Sequence, residues 1–205
     1  MNSRPISHPP SATTLPALDE MPRAGSPEEQ IALQESAWAM LETYTAPSGH
    51  AGTRLSNAWL GEQDWSVQLF HYRDLAWQPG TVRGLVGAAL RRRHRFLLGT
   101  AATPSLRPSA VWRLPTEEDA IERFFEAHYL TFNVLFPADR SFAVHGNDGD
   151  FCVFAGPEAF VREALPPAAI GPAATAEVTA EVEKEHGKGC MKGVLAHYEH
   201  FMIGD

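Results

Sequence analysis

The chain has 205 residues, 44% of them apolar and 20% charged, with a formal net charge of −8. This is the composition of an ordinary soluble globular protein, long enough for one sizeable domain or two small ones. The acidic balance argues against nonspecific binding to nucleic acid or to an anionic membrane, and it favours a basic partner. Cys152 and Cys190 are the two cysteines; they show no CxxC or zinc-finger spacing and read as reduced intracellular thiols. No stretch reaches the roughly 18 consecutive apolar residues of a membrane span, and the N-terminus lacks the apolar centre of a secretory signal. A cytoplasmic location is the expectation.

Residues Met1 to Gly25 are rich in Pro, Ser, Thr and Ala and are expected to be a disordered tail. Ser26-Pro27-Glu28-Glu29 then has the spacing of a capping box with Pro in the first turn, which predicts a helix start. Ile31, Trp38 and Leu41 form an apolar line along this helix, widened by Leu33, Ala37 and Tyr44; Ala46-Pro47-Ser48-Gly49 is its stop. Two strands are expected next, Arg54–Leu60 and Asp64–Tyr72, joined as a hairpin by Gly61-Glu62-Gln63. Thr81 to Arg93 reads as a helix despite Gly84 and Gly87. Arg95–Gly99 and Ala110–Leu114 read as strands around a Pro-containing loop.

The stretch from Thr116 to Leu165 has the clearest punctuation. Glu117-Glu118-Asp119 suits a helix N-terminus, and Ile121, Phe124, Phe125, His128, Phe132 and Leu135 fall on one helical face. Pro137 ends that helix. Ser141–His145 and Asp150–Phe154 pair across Gly146-Asn147-Asp148-Gly149, a strong turn sequence, and a helix follows Gly156-Pro157. Pro166 to Ala174 reads as a linker. Thr175–Glu185 and Met191–Met202 are the last two helices, separated by Gly187 and Gly189. The expected fold is α+β: a mostly antiparallel sheet of four to six strands packed against a long amphipathic helix, with additional N- and C-terminal helices. The main domain spans 26–165, followed by the 166–174 linker and a 175–205 helical segment.

Three groups of residues carry candidate chemistry. His145, Asp150 and Cys152 share the hairpin. A turn at Asp148-Gly149 sets His145 opposite Cys152, and a turn at Asn147-Asp148 sets it opposite Asp150. Either pair suits Cys–His or His–Asp catalysis, although Asn, Asp and Gly are also what a tight turn requires. His128 lies on the apolar helix face, where a core histidine bonded to a backbone carbonyl competes with a base or ligand of lowered pKa. His186, Cys190, His197 and His200 resemble metal ligands. On one continuous helix the outer two lie roughly 21 Å apart, so a shared ion needs the glycine break to fold the segment back, or ligands from elsewhere; surface histidines are the plainer reading.

Arg91-Arg92-Arg93-His94-Arg95 is the one dense basic run, placed where a helix C-terminus favours cations. No nucleotide-binding glycine loop, HExxH or GxSxG motif is present. No cofactor is indicated, and no metal ligands are assigned. The leading functional expectation is therefore a noncatalytic intracellular module that binds another protein, a toxin-neutralising immunity protein being one example. The runner-up is a small hydrolase or transferase using the hairpin pair, and the third reading is metal binding through the C-terminal histidines.

Overall fold

Phe151-Cys152-Val153-Phe154-Ala155 is buried at every position, which is what a strand covered on both faces requires. The structure is a computed structural model that describes residues 22–45, 51–77 and 81–204. The Met1–Gly25 tail lies outside these up to residue 21, and so does the helix stop at Ala46–Gly49. The first half contains α1 (Pro27–Trp38), β1 (Leu41–Thr45), β2 (Ala51–Leu55), α2 (Asn57–Glu62), β3 (Ser66–His71), α3 (Tyr72–Trp77) and α4 (Arg83–Arg91). Then come β4 (Phe96–Ala101), β5 (Val111–Pro115), α5 (Glu118–Ala127), β6 (Asn133–Phe136), β7 (Ala143–Asn147) and β8 (Phe151–Gly156). The helices α6 (Glu158–Ala164), α7 (Pro172–His186) and α8 (Lys192–Tyr198) close the chain.

Six strands form one sheet in the order β3-β8-β7-β6-β4-β5, and β1-β2 is a separate hairpin. All neighbouring pairs are antiparallel, giving the expected α+β architecture. The sheet is covered on both faces. Leu75, Leu85, Phe124, Phe125, Phe160 and Val161 bring α3, α4, α5 and α6 to one core. Ala37, Leu55, Leu60, Val178, Val182 and Tyr198 bring α1, β2, α2, α7 and α8 to the other. Consecutive residues such as Leu97 and Leu98 therefore serve opposite cores, as the two-residue period of a strand dictates. Gly99 marks where α5 crosses: a Cβ there would sit 2.5 Å from Phe124 Cε2.

Several boundaries differ from the sequence expectation. The helix α1 stops at Trp38, and Leu41-Glu42-Thr43-Tyr44-Thr45 is β1, paired with β2; alternating β-branched and aromatic residues suit a pleated ribbon. The Ile31 line is not its buried face, since Ile31 is 62% exposed. Gln30 and Gln34 face inward instead. The Gln30 amide pairs with Val111 like a strand residue, accepting its N–H and donating to its carbonyl, both at 2.8 Å. Gln34 donates to the Ser109 carbonyl at 2.7 Å.

The strand expected over Arg54–Leu60 ends at Leu55, where Ser56 caps α2. The expected hairpin with Asp64–Tyr72 does not form, because β3 pairs with β8 at the far edge of the sheet. The long helix also divides. His128 closes α5, and Asn133-Val134-Leu135-Phe136 is the central strand β6. The short apolar run Val134-Leu135-Phe136 fits helix and strand periods alike; here Asn133 Nδ2 donates to the His128 and Thr131 carbonyls and turns the chain. The last helix stops at Tyr198, and Phe201–Ile203 runs along β3 instead.

Each sheet edge is bridged at one point by another segment of the chain. Val67 N–H donates to the Phe201 carbonyl at 2.7 Å, and Ile203 N–H donates back to Val67 at 3.1 Å. At the other edge, Arg113 N–H donates to Pro22 and Ala24 N–H donates to Val111, each at 2.9 Å. Such capping satisfies backbone groups that an open edge would leave for other chains. The Pro166–Ala174 stretch is packed too: Ile170 lies against the first core, and Gly171 N–H donates to the buried Gln68 side chain at 2.8 Å.

The pairing of Gln30 with Val111 is open to test by chemical denaturation. Gln30→Ala leaves the Val111 N–H without its partner, while the Val111 carbonyl keeps Ala24 N–H, and a loss of about 1–3 kcal/mol is expected. Ile31→Ser, on the exposed line, is expected to stay within about 0.5 kcal/mol of the parent.

Candidate functional site

Antiparallel alternation brings the ends of β3, β4 and β7 and the starts of β5, β6 and β8 to one end of the sheet. The β7–β8 turn forms there, with positive φ at Asp148 (43°) and Gly149 (84°) and Asp150 N–H donating to Asn147 at 2.9 Å. Its register places His145 opposite Val153 and Gly146 opposite Cys152, so neither anticipated pairing of His145 occurs. Strand alternation puts His145 on the same face as Ala143, in the core beneath the β1–β2 hairpin. Cys152 belongs to the opposite core. The structure therefore does not bring His145 together with Cys152 or with Asp150.

His145 is 1% exposed. Its Nε2 lies 3.1 Å from Thr53 Oγ1, whose hydroxyl proton goes to the Ala102 carbonyl at 2.9 Å. With that proton committed, the His145 ring must donate through Nε2. Nδ1 then carries a lone pair with no hydrogen-bond partner among the described residues. Burial holds the ring neutral by lowering its pKa to about 3. His128 is 3% exposed and ends α5. Its Nδ1 donates to the Phe124 carbonyl at 2.8 Å, and its ring lies against Phe124 and Trp112 with centroids 4.5 and 4.9 Å away. Burial lowers its pKa, opposed by that hydrogen bond. Neither ring is open to a substrate.

Cys152 is fully buried, and burial raises its thiol well above the ordinary value, the setting of an inert thiol. Near it, Tyr72 Oη donates to the Phe125 carbonyl and accepts from Asn133 Nδ2, each at 2.8 Å. This pair carries no motif signal, because Tyr72 and Asn133 are 61 residues apart.

Asp150 and His186 meet. His186 ends α7, and its Nε2 lies 2.8 Å from Asp150 Oδ1 at the hairpin tip. Glu185 lies beside them, gripped by Arg73 through two contacts of 3.1 Å. One ligand atom from each of Asp150, Glu185 and His186 falls within 4.8 Å of the others. Burial raises the Asp150 carboxyl, with His186 pulling it back down. Arg73 and Glu185 had no sequence signal of their own; only the docking of α7 beside β3 brings them to the hairpin.

The remaining C-terminal candidates go elsewhere. Gly187 (φ 100°) and Gly189 (φ 88°) turn the chain after α7, in the left-handed region that glycine accommodates. Cys190 follows, exposed. His197 docks α8 on β2, its Nε2 donating to the Leu55 carbonyl at 2.9 Å; burial lowers its pKa. His200 is exposed.

A groove of about 510 Å³ runs between α7 and the C-terminal segment. Thr175, Ala176, Thr179 and Ala180 form one wall, Leu195 and Met202 the other, and Glu183 and Glu199 contribute carboxylates. No protein-family model matches this chain, and neither a curated protein nor a solved structure is found to be similar to it.

Thiol titration of the native protein is expected to modify Cys190 and spare Cys152, giving one reactive thiol per chain and two after denaturation. Two fast thiols in the native protein would contradict the burial of Cys152. His145 sets a pH dependence. Its folded pKa lies below the ordinary 6.5, so from there down to about pH 3 the unfolded chain binds a proton that the folded chain refuses. Stability is full above that window and falls with pH inside it, by up to about tenfold in the folding equilibrium per unit. Melting of His145→Gln against the parent between pH 7.5 and 4.5 is expected to show a shallower loss in the variant.

Proposed function

We propose that this chain is a noncatalytic protein-binding module, and that it receives an apolar, basic segment of its partner in the groove between α7 and the C-terminal segment. The groove is the observation that carries the reading. Its α7 wall has short side chains, Thr175, Ala176, Thr179 and Ala180, which leave room for larger apolar anchors from a partner. Grooves of this shape suit an amphipathic helix laid along them. Glu183 and Glu199 line it, and the whole chain carries a net charge of −8, so electrostatic complementarity favours lysines and arginines beside the anchors. Strand addition is the other common route for a peptide onto a sheet. Both edges of this sheet are partly occupied, at Val111–Arg113 by Pro22–Ala24 and at Val67 by Phe201–Ile203, which favours the groove.

The alternative, a small hydrolase or transferase at the β7–β8 hairpin, lacks comparable support. Its imidazole and thiol lie in opposite cores, and its carboxylate is engaged by His186.

Photo-crosslinking from position 180 in native cells tests the reading. A cross-linker at Ala180 is expected to capture one partner repeatedly, whereas one at Arg123, exposed on α5, does not. Ala180→Arg fills the groove and adds like charge to a basic ligand; it is expected to weaken binding of the captured partner by at least tenfold. Equal capture from both positions, or full binding by Ala180→Arg, would sink the proposal.

A further inference from the structure

The hairpin tip and the end of α7 lie outside the groove and have a chemistry that the binding role does not use. We propose that Asp150, Glu185 and His186 form a site for a divalent transition-metal ion of the zinc class. One donor comes from the β7–β8 turn and two from the last turn of a 15-residue helix. They meet because α7 packs beside β3, the strand paired with β8.

The helix end supplies the first physical argument. The last carbonyls of α7 leave partial negative charge at its C-terminus, where a cation is stabilised. Asp150 and Glu185 add two carboxylates to that field, and the guanidinium of Arg73 lies beside them. Distance supplies the second. Donors bound to one tetrahedral ion at about 2.1 Å lie about 3.4 Å apart. The three donor atoms here already fall within 4.8 Å of one another, and Asp150 and His186 are 2.8 Å apart. An ion bound here displaces the proton shared by Asp150 and His186 and draws the three donors together from these distances.

The donor set then selects the metal. One imidazole with two carboxylates suits Zn²⁺ and Co²⁺, whereas Ca²⁺ and Mg²⁺ prefer oxygen throughout. Arg73 bonds both Glu185 oxygens; with one oxygen turned to the ion, the guanidinium keeps the other and orients the carboxylate from behind. Three protein donors leave a fourth position facing solvent.

The experiment uses the full chain stripped of metal by a chelator. Co²⁺ absorbance and competition of Zn²⁺ against a chromogenic chelator report stoichiometry and affinity. One equivalent is expected to bind, with Asp150→Asn and His186→Ala each weakening it at least tenfold. Cys190→Ser and His200→Ala are expected to bind like the parent. Asp150 and His186 side chains are 29% and 50% exposed, so both variants are expected to fold, and a melting curve for each checks it. Binding well below one equivalent, or parental affinity in both Asp150→Asn and His186→Ala, overturns the site. Loss in Cys190→Ser with retention in His186→Ala overturns it as well. A failed groove experiment leaves this outcome unaffected, since neither test uses the other's residues.

Discussion

Burial of the sheet on both faces is the constraint from which the rest of this structure follows. Every side chain of an inner strand then enters one core or the other, so the strands must be apolar at nearly every position. Any polar group that falls there needs an internal partner, since an unpaired one costs on the order of 1–3 kcal/mol. The polar residues of the strands meet that demand in part: His145, Asn133 and Gln68 each have a side-chain partner, while His145 Nδ1 and Asn133 Oδ1 find none among the described residues. His145 uses Thr53, Asn133 uses Tyr72, and Gln68 reaches Thr175 and Gly171. These bonds join the sheet to the layers above and below it. They also tie α3, α7 and the β1–β2 hairpin to particular strands, which pure apolar contact would do less selectively.

The same constraint moves candidate chemistry to the periphery. Imidazole and thiol groups inside the sheet are held neutral by burial, which suits packing and not proton transfer. Groups that remain accessible lie where the layers end. The hairpin tip carries Asp150, the end of α7 carries Glu185 and His186, and the outer face of α7 forms one wall of the groove. The helix α7 thus takes part in both proposed sites, with Ala174, Val178 and Val182 inward and Thr175, Thr179 and Glu183 along the groove. Its N-terminus is anchored through Gln68 and Gly171, and its C-terminal turn is held by Arg73 and Asp150.

Elements with a local cause were legible from residues alone. Ser26-Pro27-Glu28-Glu29 specified a helix start, and its capping box forms. Asn147-Asp148-Gly149 specified a hairpin, and the two positive φ values fall on Asp148 and Gly149. The acidic first turn and apolar stripe of α5 specified a helix there, although the expected stripe ran on to Leu135 and the helix is capped at His128. Each depends on contacts within a few residues, and so its signal is written in a few residues. The α+β class followed from the sum of such segments.

Partners distant in sequence had no such record. Ile31 and Trp38 have helical spacing, yet Gln30 and Gln34 face inward because the backbone at Ser109 and Val111 offers them hydrogen bonds. Asn133–Phe136 fits either period, and its place between β4 and β7 made it a strand. His145 and Cys152 are close in sequence, but register put them in separate cores. Asp150 and His186 are 36 residues apart and touch. The sequence by itself determined the start of α1 and the β7–β8 turn, since capping and left-handed turns are local chemistry. Which face each side chain met, and which distant group it found there, was decided by the packing of two layers on one sheet.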